Sequence, residues 1–351
     1  MITIKSATKE YKVNVENDYS TISELLNISN SFWVIDRNVY NLYKDLFAGV
    51  PADSLYLLDA VEENKTVETA LSICERMTEM SSKRNTTLIS VGGGITQDVT
   101  GFVASVLYRG IKWVFIPTTL LASCDSCIGG KTSLNYKSFK NLLGTFYPPD
   151  EIHIYPSMFK TLTEKDFLSG MGEVVKFNIM AGKDDIDTIK NDMPELLNRS
   201  DTLLNSYVFK SLLFKKDFIE IDEFDRGERI KLNYAHTFGH AFETLSKYAI
   251  PHGTAVAIGM IVANRISLER GWLTPKLVED MESILKQIIK VDFAGILDDG
   301  DVFINAIKKD KKQIDDSITA VLMHDDMSLE LVHDVTKEEV LGAVKVVRGL
   351  L

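Results

Sequence analysis

The chain has 351 residues, 45% of them hydrophobic, and a formal net charge of −11 at pH 7. That length exceeds what one core fills and predicts two domains, while the acidic balance argues against nucleic-acid partners, which need a basic face to displace counterions from phosphates. No apolar run approaches the roughly 18 residues of a membrane span, and the opening stretch Met1 to Glu10 lacks a signal-peptide core, so a cytoplasmic protein without a membrane partner is expected.

Ser31-Phe-Trp-Val-Ile-Asp36 reads as a strand ending in an acid, and Ser54 to Leu58 as another. Lys65 to Met80 places Val67, Leu71, Ile73, Cys74 and Met77 at helical spacing, and Thr87 to Val91 is again a strand. Strands separated by helices of this length predict a parallel, doubly wound sheet. The third of these strands runs into Val91-Gly-Gly-Gly-Ile-Thr-Gln-Asp98, ahead of a helix expected over Val99 to Leu107. Glycines at a strand-to-helix turn let backbone N–H groups approach a phosphate at the positive end of the helix. The letters depart from G-x-G-x-x-G, so a plain structural turn is the alternative.

A further strand, Lys112 to Ile116, leads into Pro117-Thr-Thr-Leu120 and then Asp125-Ser-Cys-Ile-Gly-Gly-Lys-Thr132, Asn135 and Lys140-Asn141. Gly129-Gly-Lys-Thr132 resembles the tail of a P-loop, but the first glycine of that motif is absent, which excludes nucleotide-triphosphate hydrolysis. A Gly-Gly-Lys turn with Lys140 and Asn141 can still hold a single phosphate. Cys74, Cys124 and Cys127 are an odd number, against a disulfide framework. Cys124-Asp-Ser-Cys127 has redox or zinc spacing but no second pair, and reads as small side chains flanking Asp125.

After a strand at Glu151 to Tyr155 the period turns helical, from about Ser157 onward, with loops at Gly182, Gly271 and Asp298-Asp-Gly300. Met171-Gly-Glu-Val-Val-Lys176 opens one helix and puts Glu173 and Lys176 on one face, as a surface ion pair or as a site acid. Lys215, Asp225, Arg229 and Asn233 lead into Asn233-Tyr-Ala-His-Thr-Phe-Gly-His-Ala-Phe-Glu243, where His236 and His240 are four apart and share a helix face. The alternatives are a pair converging on one ion, or one core and one surface histidine. Gly239 between them suggests close approach of a backbone or ligand. His252 follows Pro251 at the start of a helix expected over Ala255 to Arg265, and a metal site here needs an acid from elsewhere, for which Glu173 is the candidate. Asp310-Lys-Lys312 adds positive charge near the end.

Several blocks in order resemble the 3-dehydroquinate synthase family: Gly92 to Phe102, Arg109-Gly110, Pro117 to Leu121, Asp125 with Gly129 to Thr132, Lys140-Asn141, Gly172 to Lys176, Asn233 with His236 to His240, and His252-Gly253. The resemblance spans nearly the whole chain. It implies a Rossmann-like NAD-binding α/β domain, residues 1–156, followed by an all-α metal- and substrate-binding domain, residues 157–351, in a homodimer with the active site between domains. It implies a divalent metal, zinc or cobalt, on Glu173, His236 and His252, with His240 beside the substrate instead. Asp36, Lys65, Gly93, Gly94, Asp98, Thr118, Thr119 and Lys140 are implied for NAD. Lys131, Asn141 and a lysine of 310–312 are implied for phosphate, with Arg109 reaching across the dimer, Lys215 and Arg229 for a carboxylate, and Asp125, Lys176 and Asn233 for hydroxyls. The implied reaction turns an anionic sugar phosphate, 3-deoxy-D-arabino-heptulosonate 7-phosphate, into 3-dehydroquinate with loss of phosphate and no net redox, a step of the shikimate pathway to aromatic amino acids.

The sequence departs from the family pattern at Tyr136, Phe139, Asp225 and Thr254. Those departures keep open a related cyclase acting on sedoheptulose 7-phosphate or glucose 6-phosphate. Retention of Gly129-Gly-Lys131, Lys215 and Arg229 weighs against it. A metal-dependent polyol-phosphate dehydrogenase and a non-catalytic NAD- or metal-binding protein are the remaining alternatives.

Overall fold

A computed structural model describes residues 1–80, 82–137, 139–291, 293–297, 299–309 and 317–350; the lysines at 311 and 312 lie outside them. Contacts divide the chain into two compact units, Met1–Leu162 with Leu204–Phe224, and Thr163–Leu203 with Asp225–Leu351. A single cut at 156/157 would put residues 204–224 in the second unit; in the structure they cluster with the first.

The first unit opens with β1 (Ile2–Lys5), β2 (Glu10–Val15), α1 (Ser20–Leu26), β3 (Ser31–Asp36), α2 (Arg37–Leu42), β4 (Leu55–Leu58), α3 (Val67–Glu79), β5 (Thr87–Gly92) and α4 (Gly94–Val106). It continues with β6 (Trp113–Pro117), β7 (Lys131–Tyr136), β8 (Phe139–Phe146) and β9 (Glu151–Ile154). Among the described residues, a seven-stranded sheet has the order β1-β2-β9-β6-β5-β3-β4, parallel throughout except for the antiparallel β1–β2 edge. Every residue of β5 and β6 is buried, as continuous apolar runs covered on both faces require. Trp33, Ile35, Ile89, Val91, Val114 and Ile116 form one core with Ile22 and Leu25 of α1 and with Val39 and Phe47, each such side chain contributing about 1.5–3 kcal/mol by its burial.

Two boundaries differ from the periodicity reading. α4 begins at Gly94 and not Val99, because the glycine-rich turn is itself the first helical turn. β7 and β8 pair antiparallel from Lys131↔Phe146 inward, making a hairpin of the stretch read as a phosphate loop.

The second unit contains α5 (Glu164–Ala181), α6 (Lys183–Leu197) and the first residues of α7 (Asp201–Ile221). There follow α8 (His236–Leu245), α9 (His252–Glu269), α10 (Pro275–Ile288) and α11 (Gly300–Lys308). The helical unit also carries an antiparallel hairpin, β10 (Ile318–Met323) with β11 (Leu329–Val335), before α12 (Lys337–Leu350). β10 is buried along its whole length, so its apolar run carries no alternation to separate it from a buried helix. α5 starts at Glu164, capped by Thr163 Oγ1 accepting from the Asp166 amide, well before the expected start at Met171. No helix among the described residues is long and apolar enough to cross a membrane.

Candidate active site

In the second unit three helices meet at glycines. A Cβ on Gly172 of α5 would stand 2.0 Å from the Gly253 carbonyl oxygen, and one on Gly253 of α9 1.8 Å from that of Ser169. The Gly253 amide donates to Ser169 Oγ at 3.0 Å across the same crossing. α8 meets α9 likewise: a Cβ on Gly259 would lie 2.4 Å from Ala235 O, and one on Gly239 3.1 Å from Ala255 O. The close approach expected at Gly239 is this helix crossing.

The glycines place three donors. Glu173 follows Gly172, His252 precedes Gly253, and His236 begins α8 one turn before Gly239. Glu173 Oε1 lies 3.8 Å from His236 Nε2 and 3.5 Å from His252 Nε2, and the three donor atoms fall within 4.8 Å of one another. A tetrahedral ion with bonds of about 2.0 Å has ligand-to-ligand edges of roughly 3.3 Å, so small side-chain closure fits one in. Two imidazole nitrogens and a carboxylate oxygen suit zinc or cobalt.

Both histidines have their rings set from behind. His236 Nδ1 is 3.0 Å from the Tyr234 carbonyl oxygen, an acceptor, so Nδ1 carries the proton and Nε2 keeps its lone pair toward Glu173. His252 Nδ1 is 3.2 Å from Glu243 Oε2, so it too carries a proton, and its Nε2 is turned toward Glu173. Burial draws the His252 pKa down, but the carboxylates of Glu243 and Glu173 outweigh it and the group is pushed up to about 10. Glu173 is fully buried, and Lys176 Nζ pairs with its Oε2 at 2.5 Å while donating to Leu232 O at 3.2 Å. The Glu173–Lys176 pair is thus an interior one, each charge offsetting the other's loss of water.

His240 is half-buried, its ring centroid 5.5 Å from that of His236 and 6.0 Å from that of His252. It does not join the Glu173 set but falls in a second group with Glu243 and His252 that meets the same distance limit. Glu243 was not singled out from the sequence. Its position three residues after His240, on the same helix face, was the available signal. Arg229, buried, and Asn233 sit in the 3₁₀ turn Glu228–Asn233 that leads toward α8, and Asp225 has a left-handed φ of 59°.

The first unit gathers other candidates around α4 and the hairpin. Lys65, buried, forms an ion pair with Asp98 and donates to Asn141 Oδ1 at 2.6 Å. Ser133 Oγ reaches both Asp98 Oδ2 and Asn141 Oδ1 at 2.9 Å. Burial pushes the Asp98 carboxyl up against the opposing pull of Lys65 and Ser133. Residues expected for NAD and for phosphate therefore share one network. Lys131, at the start of β7, is exposed, and Lys140 lies 3.4 Å from Glu62 Oε1, an acid joined to Asn141 through Asn135.

Gly93 caps α4 and Gly94 begins it. A Cβ on Gly93 would meet Thr119 Cγ2 at 3.0 Å. The Thr118 amide donates to Gly92 O at 2.9 Å, tying the ends of β5 and β6 together. Asp36 caps α2, accepting from the Asn38 amide at 2.8 Å, and burial raises its pKa. Lys215 pairs with Asp125 Oδ1 at 2.7 Å and donates to its carbonyl at 2.6 Å. Cys124 and Cys127 are buried thiols, that of Cys127 being pushed up to about 12 by burial, which keeps it un-ionised. Arg109 sits in a tight turn with φ of 65°, following Tyr108 at 52°. Tyr136 and Phe139 pair at the hairpin tip, both exposed, whereas Thr254 is buried in α9.

The family model described as 3-dehydroquinate synthase N-terminal matches residues 55–169, and that described as 3-dehydroquinate synthase C-terminal matches 170–313. The 3-dehydroquinate synthase of Clostridium tetani is 38% identical over 339 residues, 95% of this chain and 90% of that protein. Among solved structures, 2-epi-5-epi-valiolone synthase from Streptomyces hygroscopicus subsp. jinggangensis 5008, with NAD+ and Zn2+ bound, superposes with a TM-score of 0.86 at 24% identity, covering 98% of this chain and 99% of that one. 2-Deoxy-scyllo-inosose synthase complexed with carbaglucose-6-phosphate, NAD+ and Co2+ gives 0.86 at 22% identity with the same coverage. At these identities the two structures speak for a common fold.

Proposed function

The chain belongs to the 3-dehydroquinate synthase family, and on that premise we propose that it converts 3-deoxy-D-arabino-heptulosonate 7-phosphate into 3-dehydroquinate with release of phosphate. It works as a cytoplasmic homodimer with NAD+ and a divalent ion, zinc or cobalt. The observation that carries this reading is the convergence of Glu173, His236 and His252 within 4.8 Å in a chain of this family. When bound, NAD+ supplies a reversible hydride acceptor and the ion a Lewis acid, so that a carbinol can pass through a ketone and back without net redox.

The chain's own residues do the rest. Glu173, His236 and His252 hold the ion, with Lys176 paired to Glu173 from the side. Asp36, Lys65, Gly93, Gly94, Asp98, Thr118, Thr119 and Lys140 serve NAD+, the N-terminal amides of α4 facing its pyrophosphate. Lys131 and Asn141 hold the substrate phosphate and stabilise it as it leaves, with Arg109 of the partner subunit adding a donor, and His240 serves the substrate. Lys215 and Arg229 bind the substrate carboxylate through charge-assisted bonds. Asp125, Lys176 and Asn233 orient hydroxyls, which fixes the C–H next to the transient ketone for proton loss. Retention of Lys215, Arg229 and the Gly129-Gly-Lys131 turn favours the carboxylate-bearing substrate over sedoheptulose 7-phosphate.

The test is phosphate release by purified protein with NAD+ and Zn2+ or Co2+, given the heptulosonate phosphate or sedoheptulose 7-phosphate. Release from the first alone, with flat absorbance at 340 nm, is expected. Release from the second alone assigns a related cyclase, and steady NADH accumulation assigns a dehydrogenase. Lys215→Ala and Arg229→Ala should each raise KM for the heptulosonate phosphate about 10- to 100-fold, the loss of one charged hydrogen bond. An unchanged KM would remove the carboxylate role.

A further inference from the structure

Between α1 and the strands β2, β9 and β6 lies a cavity of about 520 Å3 lined by Asn14, Glu16, Glu24, Lys112, Glu151 and His153, among others. His153 is 3% exposed. Its Nδ1 is 2.8 Å from Glu16 Oε1, and since a carboxylate only accepts, Nδ1 carries a proton. Nε2 is buried with no hydrogen-bond partner among the described residues. The charged atom opposite it is Glu151 Oε2, at 3.4 Å and without hydrogen-bond geometry.

A lone-pair nitrogen and a carboxylate oxygen facing each other call for a cation between them, since leaving a buried polar atom unmatched costs about 1–3 kcal/mol. Their 3.4 Å separation is close to the roughly 3.3 Å edge of a tetrahedral ion with bonds of about 2.0 Å. A histidine whose far nitrogen is held by a carboxylate is also the usual arrangement of a metal ligand. Glu16, Glu24 and Glu151 line the cavity against one cation, Lys112, whose Nζ is 3.6 Å from Glu151 Oε1, so the field favours a positive ion.

We propose that His153 Nε2 and Glu151 bind a divalent transition-metal ion of the zinc class, with Glu16 fixing the ring and solvent completing the shell. This position is separate from the Glu173 set and joins β9 to β2. The competing way to satisfy Nε2 is a second proton, giving an imidazolium between Glu16 and Glu151.

Metal-stripped full-length protein titrated with Co2+ or Zn2+ tests this. Two equivalents are expected in the wild type, and one fewer in His153→Gln and in Glu151→Gln, with phosphate-release activity unchanged. In a His252→Ala background the remaining equivalent should raise the melting temperature, and adding His153→Gln should abolish that rise. Stoichiometry and melting shift unaltered by both His153→Gln and Glu151→Gln would overturn the site and leave the imidazolium bridge. Should His153→Gln not fold, as circular dichroism would show, Glu151→Gln carries the test at a half-exposed position. Metal content unchanged by His252→Ala would sink the Glu173 ligand set and leave the His153 result standing.

Discussion

Glu243 does for His252 what the Tyr234 carbonyl does for His236: it accepts from Nδ1 and leaves Nε2 directed at Glu173. Removing such a partner typically costs 10- to 100-fold in metal affinity. Glu243→Ala should therefore weaken binding in a competition titration with a chromophoric chelator by about that factor, and Glu243→Gln by less, because an amide oxygen still accepts from Nδ1. Equal affinity in all three proteins would show that the contact does not set the ring. At this scale the sequence was informative about residue type and poor about partnership. The His236 and His240 pair was visible from spacing, yet the ring that shares Glu173 with His236 and Glu243 with His240 comes from the next helix. Glu173 and Lys176 were readable as a pair but not as an interior one, since α5 is buried without interruption from Phe167 to Met180 and such a helix has no polar face to mark what points inward.

Among the elements, the crossing of α5 and α9 governs the donor set. A methyl group at Gly253 would stand 1.8 Å from Ser169 O, a contact that only separation of the helices can relieve. Gly253→Ala should lower stability by about 1–3 kcal/mol or more, as overpacking does, and should reduce metal retention because Glu173 and His252 ride on opposite sides of the crossing. Thermal melting together with metal analysis checks both, and full metal content at wild-type melting temperature would refute the role of the crossing. The central strands were readable from sequence because parallel strands covered on both faces are unbroken apolar runs. β7 and β8 were not, because most of β8 is solvent-exposed and its residues carry neither an apolar run nor a clean alternation. They read as loop until the partner strand supplies the hydrogen bonds.

For the molecule as a whole, the residues proposed for NAD+ cluster in the first compact unit and the Glu173 donor set in the second. Loss of the ion should accordingly leave cofactor binding largely intact. Chelation of the metal, or His252→Ala, is expected to abolish phosphate release while the dissociation constant for NAD+, followed by fluorescence or calorimetry, changes less than about tenfold. A parallel collapse of NAD+ affinity would mean that the two functions are not divided in this way. The two-part plan was legible in the shift from alternating strands and helices to helical period alone. The assignment of residues 204–224 was not, because the apolar period of α7 records that a face is buried and not which unit buries it.

Glu173 comes from α5 and His236 and His252 from the later, consecutive helices α8 and α9, and the glycine crossings bring them together only when all three have docked. A partly assembled chain that has formed one crossing offers at most an incomplete donor set. An ion bound there, as proposed, would capture the finished unit and not its precursors, drawing the folding equilibrium toward the native state by mass action. On that proposal the supply of metal in the surroundings of this protein would act on how much of it is folded, as well as on how fast each folded copy turns over.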